Sequence, residues 1–112
     1  MTTYWNDWAE GGEAAMLRDF SVDSKVLEGA TVLAAAYTYG HYSGSAYVLF
    51  EKDGKLFSVN GDHCSCNGLE DQWTPEEVVP AVDKDFSYHG FSREFEQQVK
   101  QILTERSLIS AP

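Results

Sequence analysis

No stretch of this chain is apolar for long enough to cross a bilayer. The longest such run, TVLAAAYTY from Thr31 to Tyr39, stops far short of the roughly 20 residues that a spanning helix needs. The N-terminal MTTYWNDWAEGGE has neither the basic stretch nor the apolar stretch of a secretory leader. Both absences favour a cytoplasmic protein. Cysteine is scarce: Cys64 and Cys66 are separated only by Ser65 and cannot tie distant segments together. A disulfide framework is therefore excluded, and free thiols fit a reducing compartment. The chain has no P-loop, no dinucleotide-binding glycine pattern, no calcium loop and no HExxH helix. It is also poor in positive charge. Eight Lys and Arg face eighteen Asp and Glu, for a formal net charge of -10. A field of that sign repels nucleic acid and anionic membranes and attracts a basic protein surface.

What is present is sufficient for one folded domain over residues 1–112. Hydrophobic residues make up 43% and aromatics 13%, enough to oppose disorder. A chain of 112 residues can bury one modest core without staples. No repeat, low-complexity tract or linker interrupts it.

Local patterns predict an α+β domain: a three- to four-stranded antiparallel sheet, a meander, with helices packed on one face. Ala14, Met16, Leu17 and Phe20 approach a helical stripe, which predicts a one- or two-turn helix from Glu13 to Phe20. Tyr4, Trp5 and Trp8 before it either fold back on the core or form an exposed aromatic patch. Thr31 to Tyr39 reads as a buried strand, since β-branched and aromatic residues flank its alanines. Gly40 to Gly44 reads as a turn. In SAYVLFEKDGKLFSVNG, two alternating runs flank Asp53-Gly54, a strong hairpin signal. Asn60-Gly61 reads as the turn ending the second run, and Asp62 to Trp73 as loop. Thr74, Pro75 and Glu77 have the spacing of a helix start with a capping box, and Pro80 limits that helix. Phe91, Phe95, Val99, Ile102 and Leu103 form one stripe of a last helix that Ser92 can cap.

The segment DHCSC gathers potential metal ligands and nucleophiles. His63, Cys64 and Cys66 are zinc-type ligands, with Asp62 beside them, but structural zinc needs four ligands and no second cysteine pair exists. His41 or His89 completes a site only if the fold brings one close. Cys-Ser-Cys is not the Cys-X-X-Cys of thioredoxin-like redox sites, and a bridge across one residue is tight. A Cys64 or Cys66 nucleophile would need a base and a group to orient it, which sequence adjacency does not supply. The simplest reading is two thiols packed in a loop that Asp62, Ser65 and Asn67 fix by hydrogen bonds. No cofactor is expected, and no enzyme.

The acidic distribution points elsewhere. Asp62 to Asp85 holds seven acids and one base, Lys84, together with Trp73. Glu70, Asp71, Trp73, Glu76, Glu77, Asp83 and Asp85 make a candidate surface for a basic partner. Charge would steer the encounter and an aromatic would anchor it. A solvated acidic face that only maintains solubility is the plain alternative.

The block from Gly44 to Glu77, GSAYVLFEKDGKLFSVNGDHCSCNGLEDQWTPEE, resembles one in small proteins encoded by bacteriophages and prophages. The shared features are a strand ending in Val-Leu-Phe, an Asp-Gly-Lys-Leu hairpin, His-Cys-Ser-Cys, Gly-Leu-Glu and Trp-x-Pro-Glu-Glu. That family brings no catalytic residues to carry over. The resemblance implies a phage origin and, by association, an inhibitor of host defence, with anti-CRISPR action against an effector's basic surface as the leading case. A small zinc-binding structural or regulatory module using His63, Cys64 and Cys66 is the alternative.

Overall fold

The computed structural model describes residues 3–40, 43–64, 68–70, 72–78 and 93–105. Its elements are β1 (Tyr4–Asn6), α1 (Gly12–Phe20), a 3-10 turn (Ser24–Leu27), β2 (Ala30–Gly40), β3 (Ser43–Lys52), β4 (Lys55–Cys64), β5 (Glu76–Glu77) and α2 (Arg93–Glu105). The five strands form one mixed sheet in the order β1-β2-β3-β4-β5. No helix among the described residues is long and apolar enough to cross a membrane.

The expected meander is β2-β3-β4, antiparallel throughout. Its hairpin closes where the dipeptide required: Asp53 and Gly54 have φ of 54° and 79°, and Lys52 pairs with Lys55. Two consecutive residues with positive φ match the right-handed twist of the flanking strands. The sheet is nevertheless wider than three or four antiparallel strands. Tyr4–Asn6 pairs parallel with Ala35, Ala36 and Tyr37. A parallel neighbour needs a crossover connection, and α1 with the 3-10 turn lies between β1 and β2 in the chain.

Helices on one face is also corrected. Ala15, Met16 and Phe20 of α1 pack with Ala35, Ala46, Val48, Phe50 and Val59 on one side of the sheet. Phe95, Val99 and Leu103 of α2 pack with Ala34, Ala36, Tyr47, Leu49 and Leu56 on the other. The central strands are apolar at both alternations, so both faces need a cover. Small Ala34 and Ala36 leave room for α2, which lies over β2.

A bulge sits in β2. Val32 pairs with Phe50 and Ala34 with Leu49, leaving Leu33 as the extra residue. Val32 packs on the α1 face, whereas Leu33 and Ala34 both pack on the α2 face.

The N-terminal aromatics turn to the core rather than forming a free patch. Trp8 is fully buried between Phe20 and Tyr37, with ring centroids 5.9 and 5.2 Å away. Its indole N–H donates to Asp19 Oδ2 at 2.8 Å. Trp5 lies edge-on to Phe95 at 6.1 Å, and its buried indole N–H has no hydrogen-bond partner among the described residues. Tyr4 packs on the α1 face.

Two further readings change. Gly61 is not a turn residue, because β4 continues through it to Cys64. It is a close-approach residue: a Cβ there would sit 3.0 Å from Leu69 Cδ2 and 3.4 Å from Phe20 Cε1. Thr74-Pro75-Glu76-Glu77 does not start a helix. Glu76 and Glu77 pair with Ser58 and Phe57 of β4, and the Val78 N–H donates to the Leu56 carbonyl at 2.9 Å. A helix stopped by Pro80 would be too short to hold itself, and the open edge of β4 satisfies the same backbone groups. The expected turn from Gly40 to Gly44 is narrower than read, since Gly40 pairs with Ser43 and Tyr39 with Gly44; His41, Tyr42, the expected cap Ser92 with Phe91, and Pro80 lie outside the described residues.

Burial holds two phenols in the neutral form. The Tyr4 hydroxyl is pushed up to about 12, first by burial and then by the charge of Glu13. Burial raises Tyr47 further, partly offset by its hydrogen bond with Ser58. A phenol that holds its proton more tightly when folded stabilises the fold fully below the unfolded value, about 10. That contribution is lost as pH rises through the folded value. Unfolding by urea is therefore expected to become easier above pH ~10, with Tyr47 contributing up to about 1.4 kcal/mol for each pH unit. Tyr47→Phe should flatten the slope of stability against pH in that range. An unchanged slope would assign the alkaline loss to other groups.

Candidate functional site

The described part of the candidate acidic surface is carried by residues 68–70 and 72–78, which lie along the outer edge of β4. Alternate residues of a strand turn their peptide groups to a given edge. On this edge Leu56 and Ser58 are taken up by Val78 and by β5. At Asp62 the partner is a side chain. The Asp62 N–H donates to Gln72 Oε1 at 2.7 Å, and Gln72 Nε2 donates to the Asp62 carbonyl at 2.7 Å. A carboxamide has the donor and acceptor of a peptide unit, so Gln72 occupies the place of an opposing strand residue. Its Nε2 also donates to the Gly68 carbonyl at 2.8 Å, which ties the segment to itself.

Two side chains pin the segment to the core. Leu69 is 1% exposed and fills the space that Gly61 leaves free. Trp73 stacks on Phe50, with centroids 6.0 Å apart and planes 9° from parallel, and meets Phe20 edge-on at 5.2 Å. It is half-buried. Much of the expected anchor is thus committed to the fold, with only part of the ring facing solvent.

The expected partner-binding residues divide as follows. Glu70, Trp73, Glu76 and Glu77 lie together on this segment, and all three glutamates are exposed. Glu70 accepts from the Gly68 N–H at 3.0 Å, so one oxygen also holds the local turn. Glu76 and Glu77 stand on the edge strand rather than at a helix N-terminus. Asp62 is exposed on β4, and its backbone holds Gln72 of the same segment. Asp71, Asp83 and Asp85 lie outside the described residues. None of the described acids is buried.

The candidate zinc ligands fall at the end of β4. The backbone of His63 pairs with Gly44 and that of Cys64 with Ser43, so this part of DHCSC is strand rather than loop. Cys66 lies outside the described residues, as do His41 and His89. Among the described residues no group of three or more His, Cys, Asp or Glu could hold a metal ion.

Comparison with family models, with curated proteins and with solved structures gives no match.

Gln72 gave no signal in the sequence, being one polar residue in a segment without periodicity. Gln72→Glu should remove both Nε2 donor bonds and set a carboxylate against two carbonyls. We expect a loss of about 1–3 kcal/mol, read by urea unfolding, whereas a neutral result would mean that water replaces the clasp. Protein purified without added metal should carry less than about a tenth of an equivalent of zinc, since structural zinc binds tightly enough to survive purification. Near-stoichiometric zinc would establish the His63–Cys64–Cys66 module instead.

Proposed function

We propose that the protein is a non-enzymatic binding module whose acidic surface engages a basic, nucleic-acid-facing surface of another protein. The observation that carries this is that none of the described acids of a chain with net charge -10 is buried, with exposed Glu70, Glu76 and Glu77 held on the same segment as Trp73. A fixed array of carboxylates resembles the phosphates such a surface normally meets, and complementary charge speeds the encounter. The phage-type block from Gly44 to Glu77 supports a more specific form of the reading. In that form the protein acts in the cytoplasm of an infected cell as an inhibitor of host defence, with a CRISPR effector as its leading target.

Purified effector complexes mixed with the protein across a salt series provide the test. Complex formation at low salt that weakens steeply as salt rises is expected. Reversing charge at Glu70, Asp71, Glu76 and Glu77 should weaken binding at least about tenfold, since close interfacial charge pairs couple strongly. Absence of a complex with every nucleic-acid-binding partner at low salt would end the proposal. An unaffected charge-reversed variant would place the interface on another face.

A further inference from the structure

We propose that the end of the α1 face where part-exposed Phe57 lies opposite Glu77, with Trp73 stacked on the neighbouring Phe50, binds an arginine side chain of an extended basic segment. The inference rests on the reading that the partner is basic, and it names the side chain recognised and the residues that recognise it.

The sheet register builds this place. Val32 pairs with Phe50, Phe50 with Phe57, and Phe57 with Glu77. Residues directly opposite on neighbouring strands share a face, so these four make one row across β2 to β5. The row runs from an apolar end to a carboxylate at the sheet edge. Phe50 and Phe57 stack at 5.5 Å with planes 20° apart, and Trp73 stacks on Phe50 at 6.0 Å and 9°. Phe50 is 3% exposed, whereas Phe57 and Trp73 each keep part of their surface in solvent, and Glu77 is exposed.

Two independent features of this row favour a cation. Aromatic faces are electron-rich and attract a cation laid over them. A carboxylate at the end of the row adds a hydrogen-bond acceptor of matching sign. Arginine suits the pair better than lysine, because its planar guanidinium can stack on a ring while its N–H groups reach a carboxylate. The overall charge excludes an acidic occupant and disfavours a second copy of this chain.

The test is an NMR titration of the full chain at low salt with a short poly-arginine peptide, then with poly-lysine of equal length. The indole N–H of Trp73, assigned with Trp73→Phe, and the amides of Phe57 and Glu77 should shift together. Poly-arginine should bind about two- to fivefold more tightly than poly-lysine. Glu77→Gln, an exposed neutral replacement that leaves the core intact, and Phe57→Leu, which keeps an apolar side chain, should each weaken poly-arginine binding about two- to fivefold. Shifts confined to other surfaces, or full affinity in Glu77→Gln and Phe57→Leu, would overturn this inference while leaving a charge-driven interaction in place. No binding of either peptide would overturn both.

Discussion

The architecture depends on one constraint: β3 is apolar on both of its faces. Val48 and Phe50 point to one side, Tyr47 and Leu49 to the other, and all four are buried. A sheet with such a centre cannot leave either side to water. Each buried large side chain is worth on the order of 1.5–3 kcal/mol, and exposing one face would forfeit several at once. The chain meets this by placing α1 on one side and α2 on the other. The hydrogen-bonded seat of Trp8 on Asp19 and the stacking of Trp73 on Phe50 complete the α1 side.

Covering the faces leaves the edges. Along the β4 edge the described residues supply less than a full strand. Two residues of β5 pair with Phe57 and Ser58, and one carboxamide pairs with Asp62. Short, charged edges resist unwanted pairing with other chains, and Glu76-Glu77 beside Pro75 fits that description. The same economy exposes the carboxylates. The residues that close the fold are therefore neighbours of those proposed to meet a partner, and Trp73 belongs to both sets.

What was legible in the sequence was local. Asp53-Gly54 announced its hairpin because the required backbone conformation is a property of two adjacent residues. The stripe of α2 was visible because helical periodicity repeats within one segment. The failures were long-range. Asn60-Gly61 has the composition of a turn, but Gly61 is small to admit Leu69 and Phe20, which lie elsewhere in the chain. Thr74 to Glu77 has the spacing of a capped helix, but an available strand edge overrode that preference, as tertiary context commonly does. Tyr4–Asn6 has only three residues in β1 and pairs with Ala35 to Tyr37, so it left no periodic trace. For the candidate site, the acids could be read directly. The clasp that arranges them could not, because a glutamine reveals its partner only once the chain has folded.

The bulge at Leu33 has a further consequence. Side chains along a strand alternate between two faces, and one extra residue shifts that alternation by a single step. β2 is thus written in two phases: Ala30 and Val32 serve the α1 face in one, Ala35 and Tyr37 serve it in the other. Loss of Leu33 would restore a regular ladder with Val32 still opposite Phe50 and Ala34 still opposite Leu49, so the rest of the strand would keep its two cores. The bulge is therefore the point at which β2 best accommodates a change of length, because the residues on either side of it already hold the register of a regular ladder.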